Sequence, residues 1–142
     1  MRALWALHVT KGLNEAELLA QLKNPSEHVR AWAIQLLCEE QAPSVAALAI
    51  FEQLAKDEPS AKVRLNLASA LQRMPLAARW PIVTHLAARE EDNPDHNIPL
   101  MVWYGIEPAI AADRKAALTL MRNSMLKTLR EFIPRRLGGG DE

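Results

Sequence analysis

Cysteine is almost missing from this chain. Cys38 stands alone among 142 residues, so neither an intrachain disulfide nor a cysteine cage for a metal can form. Glycine is scarce, with five residues, and aromatic residues make up 5%. β-Branched residues are few beside abundant Ala, Leu, Glu, Arg and Gln, a bias that favours helix over strand. Neither sign of charge is in excess: 17 basic residues face 17 acidic ones and the pI is near 6.9. That balance removes the usual electrostatic ground for a nucleic-acid or anionic-membrane partner. The apolar runs are broken by charge well short of the ~18 residues that a membrane span requires. Met1–Val9 does not read as a signal peptide, since its apolar run is short and leads to Lys11 and Glu15 rather than to a cleavage site.

What the chain does contain is a globular balance of 49% apolar and 24% charged residues. Its length suits one domain that buries about two thirds of its unfolded surface. It also contains a repeat. Asn24-Pro25-Ser26 followed by Val29-Arg30 returns 34 positions later as Glu58-Pro59-Ser60 followed by Val63-Arg64. Apolar residues stay in register between the copies: Val29 with Val63, Ala33 with Leu67, Leu37 with Leu71. A period in the thirties with helical spacing inside it marks a helical solenoid.

Helix signals follow from this frame. Arg2–Leu7 resembles Arg30–Gln35 in kind, so the chain opens on what reads as the second helix of a repeat, with apolar Leu4, Trp5, Leu7 and Val9. Solenoid ends normally carry a polar cap, and something is therefore expected to cover this one. Asn14 with Glu17 forms a capping-box pattern, with Leu13 and Leu18 as its staple, opening a helix to about Lys23. A second helix places Val29, Ala33, Leu36 and Leu37 on one face. Pro43-Ser44 opens a helix with Leu48, Phe51 and Leu54; Asp57–Ser60 turns into another with Val63, Leu67, Ala70, Leu71 and Met74, closed by Pro75. Pro81 either starts or kinks the helix within Leu76–Ala88. Glu90–Asp95 reads as an acidic loop, and Ile98–Pro108 as a very apolar helix bent at Pro108. Asp113 and Ser124 cap the last two helices. These signals predict an all-α, right-handed α-solenoid of about four and a half helical hairpins over residues 1–137, with residues 138–142 as a flexible Gly-rich tail.

The turn-and-helix pattern resembles HEAT repeats. Two stretches carry a narrower likeness: Ser69–Pro75 with Arg79-Trp80-Pro81-Ile82, and Asp95–Pro108 with its Pro-Leu-Met-Val-Trp-Tyr-Gly-Ile-Glu-Pro core. They resemble the HEAT-like region of haem-binding, putative membrane-bound dehydrogenases of planctomycete and verrucomicrobial type, over Arg2 to about Leu137. In that family a β-propeller precedes the region and a c-type cytochrome domain follows it. The resemblance implies a non-catalytic scaffold, spacer and protein-docking domain, a fragment or remnant of such a dehydrogenase, placed outside the cytoplasmic membrane in the full-length parent. No family catalytic residue maps onto this chain, and it has no Cys-x-x-Cys-His for haem attachment. Its flanking domains or a protein partner are the expected contacts, with self-association through the N-terminal helix as a further one.

Candidate chemistry is thin. His8, His28, His85 and His96 show no pairing at helical spacing, and each reads as a turn or surface histidine. Asp92, Asp95, His96 and Asn97, next to Glu90 and Glu91, are the one local cluster of ligand-type residues. They lack the glycine and bidentate Glu of a calcium loop, and read as a loop whose Asp95 or Asn97 caps the next helix. No catalytic, cofactor or metal residue is assigned, and no cofactor is expected. Trp5, Trp32, Trp80 and Trp103, with Tyr104, could line a groove for a partner or planar cofactor, though aromatics at helical spacing read first as core. Trp103 and Tyr104, beside Gly105 and between Pro99 and Pro108, are the candidate interaction surface, together with Glu107, Asp95 and Asn97. Arg30 and Arg64 occupy equivalent positions and are expected to bond across to Asn24, Asp57 or Glu58 as a structural ladder. Cys38 reads as a small apolar residue. Arg122, Lys127, Arg130, Arg135 and Arg136 make one end basic. A stand-alone adaptor or homodimer, with a concentration-dependent mass, is one alternative; a HEAT-like DNA glycosylase, retained on DNA through Arg130 or Arg135, is another.

Overall fold

The computed structural model describes residues 15–39 and 43–139. Expectations that fall on Met1–Val9, Trp5, His8, Leu13 and Asn14 lie outside these residues. Among the described residues the regular structure is all helical, with no strand. Eight α-helices run in chain order: α1 Glu15–Gln21, α2 Glu27–Glu39, α3 Val45–Asp57, α4 Ala61–Ala70, α5 Leu76–Ala87, α6 Ile98–Ile110, α7 Arg114–Asn123 and α8 Lys127–Gly139. Short 3₁₀ turns extend α4 over Leu71–Arg73 and fold the acidic segment over Glu90–Asp92.

The starts follow local chemistry. Ser44 accepts from the Ala47 amide (3.1 Å) and Ser60 from the Val63 amide (3.4 Å). Each fills one of the donors that a helix start leaves unpaired. Asp113 does the same for Ala116 at 3.0 Å. Ser124 does not cap α8 directly. Its hydroxyl closes a local turn with Leu126, and the Lys127 amide at the helix start donates instead to Asn93 Oδ1 at 2.9 Å. α8 continues past Leu137 to Gly139, so Gly138 is helical.

Packing skips one helix at a time. α2 lies on α4, α4 on α6 and α6 on α8, while α3 lies on α5 and α5 on α7. Neighbours in sequence, α1 with α2, α5 with α6 and α7 with α8, close the two rows against each other. The buried faces form one core, with Ile34, Phe51, Leu67, Leu71, Leu86, Ile106 and Leu129 fully enclosed.

Three prolines sit inside helices: Pro81 in α5, Pro108 in α6 and Pro134 in α8. α5 neither begins at Pro81 nor stops there; it starts after Pro75 and runs through. Each proline removes a bond to the carbonyl four residues back, here those of Ala77, Tyr104 and Arg130. These residues and the prolines themselves are all exposed, so water can take the missing bond.

Gly105 has a packing reason. A Cβ built there would stand 2.6 Å from both Cβ and Cδ1 of Leu71, so α6 approaches the end of α4 more closely than any side chain would allow. The close neighbour is this chain's own Leu71. Gly105→Ala is therefore expected to destabilise the protein by about 1–3 kcal/mol through overpacking, despite alanine's better helix propensity, as read by a denaturant melt. A variant as stable as the parent would show that Leu71 can move aside.

Candidate functional site

The repeated arginines meet carboxylates one turn further along. Arg30 forks onto Glu58, with Nε 3.1 Å from Oε1 and Nη2 2.5 Å from the same oxygen. Its Nη1 donates backward to the carbonyls of Asn24 (2.8 Å) and Pro25 (3.1 Å). Arg64 repeats the arrangement. Nε and Nη2 donate to the two oxygens of Asp92 at 2.8 and 2.7 Å, and Nη1 reaches the Glu58 carbonyl at 3.0 Å. Each carboxylate lies 28 residues after its arginine. Asn24 thus takes part through its backbone, and its side chain instead accepts from the Ser26 amide at 2.8 Å. Asp57 pairs with Gln53 on its own helix and takes no part. The Arg64–Asp92 pair is deeply buried, with side chains 5% and 3% exposed; the bond to Asp92 holds the guanidinium's pKa above its ordinary value, against the desolvation that works the other way.

The acidic segment is consumed by the same architecture. Asp92 belongs to Arg64, Asn93 bonds to Met125 and Lys127, and Asp95 accepts from the amides of Asn97 (2.7 Å) and Ile98 (2.9 Å). Those two bonds lower the Asp95 pKa. Asp95, rather than Asn97, is the side chain that satisfies the start of α6. Among the described residues no group of three or more His, Cys, Asp or Glu side chains converges as a metal site, and no helix is long and apolar enough to cross a membrane.

The five residues of the candidate surface enter different local contacts. Trp103 is half-buried and meets Phe132 edge to face at 5.5 Å. Glu107 pairs with Arg136 at 3.3 Å, with both side chains more than a third exposed, where such pairs contribute little. Tyr104 stands 54% exposed. Asp95 is spent on the helix cap. Asn97 lines a concavity.

That concavity crosses the row formed by α2, α4 and α6. A groove of about 470 Å³ is lined by Gln35, Cys38 and Glu39 from α2 and by Asn66, Ser69 and Arg73 from the next helix and its 3₁₀ turn. It shares Asn66 and Ser69 with a second of about 340 Å³, which adds Leu65, Asn97 and Met101. At the α2 end it shares Gln35 and Glu39 with a small pocket formed by Trp32 and Leu36. Burial pushes the Cys38 thiol up to about 11, so it stays protonated at neutral pH and is no nucleophile. The groove offers amides, a hydroxyl and one charge of each sign, a chemistry of hydrogen bonding rather than of proton transfer.

Sequence reasoning missed Gln35, Asn66, Ser69 and Arg73. The signal was present: Trp32, Asn66 and Leu100 stand 34 residues apart, as do Gln35, Ser69 and Trp103. Extending the repeat beyond its apolar positions pairs these groove residues of α2 and α4 with positions in α6.

No family model, curated protein or solved structure matches this chain.

Two measurements test the ladder and the cap. Removing one member of a buried pair strands the other, so Asp92→Ala is expected to cost about 3–5 kcal/mol in a urea melt. A double variant with Arg64→Met is expected to recover much of that loss; a single variant as stable as the parent would show that the pair contributes nothing. Asp95→Ala is expected to cost about 1 kcal/mol at pH 7. Because folding lowers the Asp95 pKa, its contribution is present above the ordinary value of about 3.9 and fades as pH falls through the folded value. The difference between parent and variant melts is thus expected to shrink below about pH 4; an unchanged difference at pH 3 would contradict the cap.

Proposed function

We propose that the chain is a non-catalytic docking and spacing domain, a right-handed α-solenoid of HEAT-like hairpins. The observation that carries this reading is the repetition of one joint: an arginine bonded back to its own turn and forward to the next, twice in succession at the same 28-residue reach. A chain built that way joins each repeat mainly to its neighbours and presents a long, semi-rigid face. The alternate packing of helices into two rows and the groove along one of them support the same reading. The likeness of Ser69–Ile82 and Asp95–Pro108 to the HEAT-like region of haem-binding dehydrogenases gives the face its expected neighbours, a propeller on one side and a c-type cytochrome domain on the other.

The test starts from the complete reading frame that carries this chain. A propeller segment before it and a Cys-x-x-Cys-His segment after it are expected. Produced separately and mixed with this chain, one or both are expected to raise its mass in light scattering. A frame with neither segment, or domains that mix with no change in mass, overturns the reading.

A further inference from the structure

We propose that the outward face of α7 docks an acidic amphipathic helix of a partner protein. The inference rests on the docking reading and names the chemistry of what docks at the basic end of the chain.

Charge marks the face. The chain is neutral as a whole, yet residues 113–139 carry seven basic residues against two acidic ones, Asp113 and Glu131. Asp113 is spent on the α7 cap. Lys115 and Arg122 are exposed and make no ion pair among the described residues. Lys115 also stands where helix stability argues against it. The first turn of a helix is its positive end, and no acidic residue in that turn of α7 offsets the ammonium. Helix formation gives no reason for a cation at this place, and a carboxylate brought by a partner does. A solvated end of a solenoid needs a polar surface but not one of a single sign.

Spacing within this one helix selects the partner's conformation. Lys115, Leu118 and Arg122 all lie inside α7, at i, i+3 and i+7, so they share one face. The buried face carries Ala117 and Leu120 instead. Leu118 is 38% exposed and sits between the two cations. Seven residues set the backbone positions of the cations about 10.5 Å apart. A partner helix lying alongside offers two carboxylates at the same distance from residues seven apart, with a leucine between them to meet Leu118. That is the pattern of a helix pair with an apolar seam and charged flanks. A β-strand returns to the same face every two residues, about 6.6 Å, and so does not match that distance. A phosphate chain would answer the cations and leave Leu118 against charge. The turn from α7 into α8 adds exposed Met125 and Lys127, apolar and basic again.

The probe is a fluorescein-labelled peptide of three Glu-Ala-Gln-Leu-Leu-Gln-Ala heptads, titrated with the full chain and read by anisotropy. Its glutamates stand seven apart, and its paired leucines match α7 in either direction. Saturable binding is expected, at least tenfold tighter than that of the same peptide with Lys in place of Glu, and weaker as salt is added. The double variant Lys115→Glu/Arg122→Glu changes two exposed side chains and is expected to keep the parent's helix content. It is expected to bind the Glu peptide at least tenfold more weakly than the parent does, and the Lys peptide at least tenfold more tightly. Leu118→Gln is expected to weaken the Glu peptide at least threefold. Absence of saturable binding, equal affinity for the two peptides, or a charge-reversed variant that does not exchange its preference would each overturn the proposal. Retention on duplex DNA or on phosphatidylglycerol vesicles in place of the peptide would overturn it too, and would give the face to a polyanion. Should the peptide fail while the adjoining domains still raise the mass of the chain, this inference falls and the docking reading stands.

Discussion

An arginine side chain taken out of water keeps its charge, and it must find acceptors for a planar fork of five donors. Arg64 meets that demand with its own turn on one side and Asp92 on the other. The two sets of acceptors come from successive turns, so satisfying the guanidinium fixes the distance and direction from one repeat to the next. The turn chemistry is subordinate to it. Pro25 and Pro59 and the serines after them start α2 and α4 at the same point relative to the arginine. Ser60 then has its hydroxyl near the Val63 amide because the helix must begin there. A buried pair of this kind adds little net stability over an apolar isostere. Its value lies in register, since a slip of one residue would strand a charge.

A further joint, on α5, has a different character. Arg79 is buried with no carboxylate partner among the described residues, and burial lowers its pKa. Its acceptors are carbonyls: Met74 at 3.0 Å, Gly105 at 2.7 Å and Gln72 at 3.4 Å. Two of these lie where the 3₁₀ turn after α4 ends, and a cation there meets the negative end of the helix. Gly105 supplies the third only because α6 can press against Leu71. Arg79, Leu71 and Gly105 thus weld α4, α5 and α6 at one point, close to the residues that line the groove.

Most of the helices were legible because their signals are local. Capping residues, prolines and apolar spacing act within a turn or two, and α3, α4 and α7 begin where Ser44, Ser60 and Asp113 place them. What was not legible was set at long range. Nothing near Ser124 announces that Asn93, 34 residues away from Lys127, takes the cap of α8. Asp92 read as a loop acid because its partner lies 28 residues earlier. Pro81 left a helix start and a kink both open because its sequence neighbourhood does not reveal that Ala77 is exposed. The groove residues were overlooked for another reason. Polar side chains on a helix surface carry no hydrophobic period, and only the repeat itself relates their positions.

The ladder ends at α6, and the end has a physical cause. The position 34 residues after Arg64 is Ile98, which is 1% exposed, so no guanidinium reaches forward from this turn. Asn93 takes the step instead, donating to the Met125 carbonyl at 2.8 Å and accepting from Lys127. Neutral hydrogen bonds are roughly half as strong as charge-assisted ones, and a half-buried ring contact and a part-exposed ion pair also link α6 to α8. The register of α2, α4 and α6 is therefore held by buried charge, while α7 buries Ala117 and Leu120 and α8 packs through the apolar side chains of Leu126, Leu129 and Ile133. That division places the charge-braced part of the chain under the groove, whose lining comes from α2, α4 and the start of α6. The part with more freedom falls at the far end, where nothing in the groove depends on it.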